Sequence, residues 1–400
     1  MNDYFYWVYG DYFIFKPEFD DCLEDYIGII KNYKKLVFSN YFDLKTTIKV
    51  IENDKYDIGI IHGNKFTGSK FARFSKYKID LLGRLTWLEE LTFGYYFNHP
   101  LDNILDKLVN LKKLTIGYHF SQPLYNSLNK LVNLRELRFV GKFNYSLLNS
   151  LHNLIDLEEL ILNDNFNRSL IGSLNNLTKL QKIFLGNRFN KPLANSLEKL
   201  TLLEELAFGI EFNQPLSNSL DQLTNLKKLI IGDGFNKPLE NSLIKLVKLE
   251  ELTFGELFNK PLYNEFNEFN KLKKLTLGKN FNQSLSNLMN RLIFLEELTL
   301  GKNFNQFDEL PSTIKILTLD CNCQYIIDNL PSSIQILNLG YYFKLPLDNL
   351  PNSIKKILFN KESGYNYTLN NLPKLLEQLK LPIFYDIQIK NLSTNCEIIK

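Results

Sequence analysis

Phenylalanine recurs at a fixed interval of 23 residues through most of the chain. Ten members of the series follow one another without a gap: Phe97, Phe120, Phe143, Phe166, Phe189, Phe212, Phe235, Phe258, Phe281 and Phe304. The next residue is asparagine in nine cases and Ser121 in the tenth, and leucine stands four residues after each of the first nine. A fixed period of this length indicates stacked supersecondary units, because one such unit is too small to bury its apolar side alone.

Each 23-residue repeat combines two hydrophobic periods. It reads L-x-x-L-x-[LIF]-G-x-x-F-N-x-[PS]-L-x-N-S-L-x-x-L-x-x from one strand to the next. Its first part alternates, as in Leu229 and Ile231, which predicts a short strand with one buried face. Its second part spaces leucines four and three residues apart, as in Leu239, Leu243 and Leu246, which suits a helical or 3₁₀ turn. The repeat therefore predicts an α/β solenoid with a parallel concave sheet and a 3₁₀ or short-helical convex side.

This pattern resembles the leucine-rich repeats, and more closely the FNIP repeats, a variant known chiefly from amoebae and the giant viruses that infect them. The usual signature is L-x-x-L-x-L-x-x-N-x-L. This chain has Phe and Asn at positions ten and eleven of the repeat, in place of the Asn and Leu of that signature. The resemblance implies a leucine-rich-repeat superhelix whose ordinary asparagine ladder is displaced. We expect the phenylalanines to stack as an aromatic column at the corner. The asparagines should satisfy turn backbone groups that have no ladder partner.

A shorter form of the repeat follows, with proline before each strand. Its Leu-Pro pairs begin at Leu310, Leu330, Leu350 and Leu372. We divide the chain into an N-terminal cap with degenerate repeats (1–66), a solenoid of 23-residue repeats (67–305), shorter L-P-x-S-I repeats of the same solenoid (306–381) and a C-terminal cap (382–400). A helix is predicted near residues 17–33 of the first cap.

Composition excludes several classes of protein. A formal net charge of +3 without clustered basic residues argues against a nucleic-acid partner. No apolar stretch approaches the roughly 18 to 20 residues of a membrane span, and the first residues do not resemble a signal peptide. Four cysteines form neither a disulfide framework nor a C-x-x-C pair. We therefore expect a cytoplasmic protein, in the host cytoplasm if it is viral, with no membrane contact.

The sequence offers little for catalysis. Its four histidines are scattered and form no metal-binding motif, and no Walker or G-x-G-x-x-G loop is present. Most glycines follow a strand, as Gly209 and Gly232 do, and we attribute them to a backbone turn. We predict no enzyme activity, no catalytic residue, no cofactor and no metal site.

Charged residues occupy the two positions between the leading leucines of each repeat. They alternate strictly in sign from Glu204-Glu205 through Lys227-Lys228 to Glu296-Glu297. Because adjacent parallel strands lie about 4.8 Å apart, opposite charges on neighbouring strands should neutralise one another. We interpret the pattern as a ladder that sets the register of the repeats. The alternative is a charged landing site for a partner.

Two groups of residues are candidates for partner binding. The next outward column of each strand is mostly threonine, but it is interrupted by four apolar residues flanked by one arginine: Arg138, Ile161, Phe184, Ala207 and Ile230. We expect these to expose a contiguous apolar strip on the concave face, unless twist or positional drift covers them. A second group lies just beyond the first strands: Tyr95, Tyr96, Tyr118 and His119.

We therefore predict a monomeric, non-catalytic scaffold that binds a protein partner on its concave face. FNIP repeats often accompany an F-box, which implies the alternative of a substrate-recognition subunit of a ubiquitin ligase. Residues 1–66 contain no L-P-x-[ED] opening that would support an F-box. A self-assembling structural protein is the third hypothesis.

Overall fold

Strands of three or four residues recur once per repeat, because only the alternating part of each repeat has a strand period. A computed structural model describes residues 6–16, 26–38, 81–95, 97–262, 271–307, 309–390, 392 and 395–400. The chain divides into two units, the N-terminal unit (1–180) and the C-terminal unit (181–400). Both are leucine-rich-repeat solenoids, as the resemblance implies. The division into caps and repeat segments stays a prediction.

The N-terminal unit begins with an antiparallel hairpin whose turn contains Gly10 at φ +52°. From β2 onward its strands pair in parallel. The elements are β1 (Tyr6–Tyr9), β2 (Tyr12–Phe15), α1 (Ile27–Ile30), β3 (Lys35–Phe38), a 3₁₀ helix (Leu81–Arg84), β4 (Glu90–Thr92), β5 (Lys113–Ile116), β6 (Glu136–Phe139) and β7 (Glu159–Ile161). Much of the predicted cap and of its helix lies outside the described residues, so only α1 represents that helix.

All strands of the C-terminal unit pair in parallel with their sequence neighbours. They are β8 (Lys182–Leu185), β9 (Glu205–Phe208), β10 (Lys228–Ile231), β11 (Glu251–Phe254), β12 (Lys274–Leu277), β13 (Glu297–Leu300), β14 (Ile316–Leu319), β15 (Ile336–Leu339), β16 (Lys356–Phe359), β17 (Gln378–Lys380) and β18 (Glu397–Ile399). The sheet therefore continues through the shorter repeats, as predicted, and into the segment that we assigned to the C-terminal cap.

The convex side consists mainly of tight turns. The backbone N–H of Leu131 donates to the carbonyl of Leu128, and that of Leu134 donates to Leu131, each at 3.0 Å. Bonds between residues three apart are typical of 3₁₀ geometry. Short helices occur at α2 (Ser286–Met289) and α3 (Gln324–Asp328). The leucine spacing thus predicted the class of the convex side correctly.

The phenylalanine series forms a buried aromatic column in each unit. All ten rings are at most 5% exposed. Neighbouring ring centroids lie 5.9 to 6.3 Å apart with interplanar angles of 20° or less, from Phe97 to Phe166 and from Phe189 to Phe304. The predicted aromatic column is therefore confirmed within each unit.

The same column continues into the shorter repeats, which the sequence analysis missed. Buried side chains take the place of phenylalanine there: Cys323, Phe343, Tyr365 and Tyr385. The rings of Phe343 and Tyr365 stack at 6.2 Å, and those of Tyr365 and Tyr385 at 6.3 Å. Burial raises the pKa of the Tyr365 hydroxyl. Spacings that vary between repeats and a change of residue type concealed this continuation.

The asparagine after each phenylalanine forms its own ladder. The backbone N–H of Asn236 donates to Oδ1 of Asn213, and the N–H of Asn259 donates to Oδ1 of Asn236, both at 3.0 Å. The same bond recurs in the N-terminal unit, from Asn167 to Asn144 at 2.9 Å. We expected these asparagines to satisfy groups without a ladder partner. This expectation is confirmed, since each Oδ1 accepts a backbone N–H of a turn; the sequence did not show that this turn belongs to the following repeat.

Glycine follows the strand because successive turns approach too closely for a side chain. A Cβ on Gly232 would overlap the carbonyl oxygen of Gly209, and one on Gly278 would overlap that of Gly255. Neither Gly232 nor Gly278 has a positive φ. We attributed these glycines to the conformation of a turn, and that cause was wrong. Glycine is required because the backbones of adjacent repeats are in close contact.

The aromatic column predicts a specific pattern of stability. Replacing Phe212 or Phe235 with alanine should lower the free energy of unfolding by about 3 to 5 kcal/mol, because each change leaves a cavity in the stack. Thermal and denaturant unfolding would measure the loss. Phe384→Ala is the matched control, since Phe384 is 81% exposed and should be nearly neutral. Equal effects at buried and exposed positions would contradict the assignment.

Candidate interaction surface

Two columns of ion pairs cross the sheet of the C-terminal unit. In the first column, the carboxylate–ammonium distances are 2.8, 2.8 and 2.6 Å for Glu204–Lys227, Glu250–Lys273 and Glu296–Lys315. In the second column they are 2.8, 3.2 and 3.1 Å for Lys182–Glu205, Lys228–Glu251 and Lys274–Glu297. The predicted charge ladder is therefore confirmed in this unit.

The two columns bridge alternate gaps between strands. Glu204, just before β9, pairs forward with Lys227, just before β10. Glu205, the first residue of β9, pairs back with Lys182 on β8. On β10, Lys228 bonds forward to Glu251. Each strand of this series is thus held on both sides by different residues. The sequence analysis did not predict this staggered arrangement. Each charged side chain has an oppositely charged residue on both adjacent strands, and the sequence does not show with which of them it pairs.

The lysines of the ladder also lower the pKa of neighbouring glutamates. A hydrogen bond from Lys273 lowers the pKa of Glu250, and bonds from Lys34 and Lys112 lower the pKa of Glu89. Both glutamates therefore stay charged at neutral pH. Because the side chains of these pairs are largely solvated, each pair adds little to the free energy of unfolding.

In the N-terminal unit, Arg138 stands one column outward of the charged positions and pairs with two of their glutamates. Its guanidinium lies 2.8 Å from Glu159 and 3.2 Å from Glu136. Ile161 stands beside it in the strand register and is half-buried. The predicted neighbours Arg138 and Ile161 are thus adjacent, with the arginine held across the strands by two carboxylates.

Three members of the predicted apolar strip lie on adjacent strands of the C-terminal unit. Phe184 pairs with Ala207, and Ala207 pairs with Ile230. Phe184 and Ile230 are half-buried, while Ala207 is only 3% exposed. The expected exposure is therefore reduced at the centre, because a methyl side chain lies between two larger ones. Thr253 follows in register and begins the threonine column.

The second candidate group forms a compact cluster in the N-terminal unit. The rings of Tyr95 and Tyr118 stack at 4.7 Å with an interplanar angle of 4°. His119 contacts both rings edge-on, at 4.9 and 5.3 Å. Burial and the charge of Lys142 lower the pKa of His119, which keeps it neutral near pH 7. Tyr96 lies outside the described residues.

Within the part of the chain that the structure describes, no group of three or more His, Cys, Asp or Glu side chains is arranged to hold a metal ion. Over the same residues, no helix combines the length and apolar character needed to cross a membrane.

The ladder predicts a stability that depends on salt. Lys227→Glu with Lys228→Glu places three acidic strands in succession and should lower the free energy of unfolding by about 1 kcal/mol or more at low salt, and by less at high salt. Denaturant unfolding at two ionic strengths would measure this difference. Lys237→Glu with Lys245→Glu reverses the same charge outside the strands and serves as the control. A loss that does not change with salt would contradict the electrostatic account.

Comparison with known proteins supports the repeat class. The FNIP Repeat family matches residues 306–342 and 322–362. No curated protein matches the chain.

Several solved structures share the fold. CroV588, described as a novel circular LRR protein, is 24% identical with a TM-score of 0.67, and the match covers 99% of this chain and 60% of that one. TLR13 in complex with ssRNA13 is 16% identical with a TM-score of 0.60, covering 90% and 52%. A chain of the Drosophila Toll–Spätzle complex is 14% identical with a TM-score of 0.58, covering 97% and 58%. This chain thus spans well under two thirds of each of these proteins. Together with the stacked strands, these matches show a leucine-rich-repeat fold, and residues 306–362 of the chain match the FNIP repeat.

Proposed function

We propose that this chain is a non-catalytic scaffold that binds another protein on its concave sheet face. The observation that carries the proposal is the apolar strip of Phe184, Ala207 and Ile230 on three adjacent strands. These side chains are not needed to stack the repeats, because the leucines and phenylalanines on the other face of the strands form the core. Phe184 and Ile230 are half-buried on the outer face and offer apolar area to a partner, with Ala207 buried between them.

The surroundings of the strip fit a protein interface. Ion pairs run beside it on the same strands, namely Lys182–Glu205 and Lys228–Glu251. Protein interfaces commonly have an apolar centre and a polar rim that remains hydrated. We place the centre of the contact in the C-terminal unit at Phe184 and Ile230, with the ladder as its rim.

The N-terminal unit offers further contact residues. Within that unit, Arg138 and Ile161 are proposed to form a charged and apolar contact, and Tyr95 and Tyr118 an aromatic contact. Tyrosine and arginine are enriched among residues that dominate binding energy. Tyr96 is included from its sequence position alone.

The partner is proposed to be a protein rather than a nucleic acid. Lysines of the ladder are neutralised by glutamates at 2.6 to 3.2 Å, so a phosphate backbone would meet as much repulsion as attraction. The similar TLR13 structure contains single-stranded RNA, but at 16% identity that likeness concerns the fold alone.

We further propose a cytoplasmic location, in the host cytoplasm if the chain is viral. Cys321 and Cys323 are buried free thiols, and burial raises the pKa of Cys321 to about 11. Cysteines that remain free thiols suit a reducing compartment, where disulfides are rare. The viral assignment rests on the resemblance to FNIP repeats.

The proposal predicts that Phe184→Asp with Ile230→Asp abolishes partner binding while leaving the fold intact. Charges placed at the centre of an apolar interface become unpaired and desolvated on binding, which should weaken affinity at least about 100-fold. Affinity purification from the native cell with mass spectrometry would identify the partner, and binding of the purified variant would then be measured.

Thr276→Asp with Thr299→Asp is the matched control, since it adds the same charges in the same column beyond the strip. Loss of binding in the strip variant alone supports the proposal. Unchanged binding by a folded strip variant would exclude the strip. Recovery of ubiquitin-ligase subunits would instead favour the adaptor hypothesis.

A further inference from the structure

Two lysines on the outer face of the C-terminal unit stand apart from the charge ladder. Neither Lys356 on β16 nor Lys380 on β17 forms an ion pair with another residue that the structure describes. The strand register explains this, because the residues beside them on the adjacent strands carry no carboxylate: Ile336 and Gln378 for the first lysine, Leu358 and Ile399 for the second. By contrast, the ladder lysines of this unit have the ammonium 2.6 to 3.2 Å from a glutamate: Lys182, Lys227, Lys228, Lys273, Lys274, Lys315 and Lys355.

Three apolar side chains adjoin these lysines. Ile316 and Ile336 are register partners on β14 and β15, at the position that carries the second ion-pair column in the preceding repeats. Leu358 stands on β16 two residues after Lys356, at the position that carries threonine on β11 to β14. All three apolar residues are half-buried on the outer face of the sheet. We call them, together with Lys356 and Lys380, the terminal patch.

The terminal patch does not contribute to the core of the repeats. The residues next to it on the same strands point inward and are fully buried: Leu317, Leu337, Ile357 and Leu379. At the positions of Ile316 and Ile336, the preceding strands carry charged residues: Lys228, Glu251, Lys274 and Glu297. Stacking of the repeats therefore does not require an apolar residue there, and the three apolar side chains offer area for a contact outside the sheet.

The terminal patch differs in charge from the apolar strip that contains Phe184. The lysines beside that strip are paired with glutamates at 2.8 and 3.2 Å. In the terminal patch both ammonium groups keep their positive charge, and the glutamate of the adjacent strand, Glu377, pairs instead with Lys355 at 3.0 Å. The strip is therefore a neutral apolar surface, whereas the terminal patch combines apolar area with two positive charges.

We propose that the terminal patch binds an acidic amphipathic segment of a protein partner. The apolar side chains of the segment pack on Ile316, Ile336 and Leu358, and its carboxylates pair with Lys356 and Lys380. Adjacent parallel strands lie about 4.8 Å apart, so Lys356 lies roughly 10 Å from Ile316 across the sheet, a distance that about three residues of an extended segment span. The bound segment excludes water from the half-buried lysines, which strengthens each ion pair.

Other occupants fit the terminal patch less well. A second copy of the chain that used the same patch would bring the lysines of both copies together without a carboxylate between them. A nucleic acid gains most of its affinity from many phosphate contacts and from bases stacked on aromatic rings. The terminal patch has two unpaired lysines and no aromatic side chain. An acidic segment with apolar residues uses both its charge and its aliphatic area.

Selection from a random-peptide display library on the full chain tests the proposal. Peptides that the wild type retains and that the variant Lys356→Glu with Lys380→Glu loses should be enriched in Asp and Glu beside Leu, Ile or Val. For such a peptide, this charge-reversal variant should raise the dissociation constant at least about tenfold. The variant Ile336→Thr with Leu358→Thr keeps the charge, loses apolar area and should also raise the constant about tenfold. Fluorescence anisotropy of the labelled synthetic peptide measures both effects.

The matched control is Lys237→Glu with Lys245→Glu, which reverses two charges of the same unit outside the strands and should bind the peptide as the wild type does. The strip variant Phe184→Asp with Ile230→Asp should also bind it, so this proposal can hold even if the proposed contact at the strip fails. Circular dichroism checks the fold of each variant. If the charge-reversal variant does not fold, Lys356→Gln with Lys380→Gln removes the same charges without adding repulsion and takes its place.

Several results would each overturn the proposal. One is a selection that yields no peptide distinguishing the wild type from the charge-reversal variant, and another is a set of such peptides that is basic or neutral. A threonine variant that binds the acidic peptide with unchanged affinity would exclude the apolar contact. An oligothymidylate of about 16 nucleotides that displaces the peptide from the wild type would indicate a nucleic-acid site instead.

Discussion

The fit of one repeat onto the next is the constraint on which the rest of each unit depends. Neighbouring phenylalanine rings lie about 6 Å apart, and an asparagine side chain accepts the backbone N–H of the following turn. Gly232 lies so close to Gly209 that no side chain fits between them. Because these contacts act together at the same corner of most 23-residue repeats, they fix the register that brings the strands into a parallel sheet.

The outer face of the sheet is a consequence of that register. Once strands are aligned, residues at equal positions of successive repeats become lateral neighbours, so a charge that alternates along the sequence becomes an ion pair in space. The threonine column and its apolar interruption at Phe184 and Ile230 arise in the same way. Positions on the turn side of the repeat have neither role, so their residue types vary from repeat to repeat, from the exposed Tyr125 and Ile293 to the polar Ser217 and Glu240.

Period and residue type were sufficient to predict the fold, the buried phenylalanines and the charge ladder. They were insufficient where the contact partner is a neighbouring turn. The asparagine ladder, the close approach at Gly232 and the staggering of ion pairs depend on distances between repeats, which one repeat read alone does not contain. The burial of Ala207 depends on the size of its lateral neighbours.

Amide exchange at Asn259 tests the central claim most directly. In the wild type, the Asn259 N–H donates to Oδ1 of Asn236 at 3.0 Å, so the bond joins two adjacent repeats. If contacts between repeats hold the unit together, Asn236→Ala should speed exchange of this amide by about tenfold, as expected for the loss of one partly buried hydrogen bond. The N–H of residue 236 itself, which donates to Asn213, should keep its protection. Unchanged exchange at Asn259 would contradict the account.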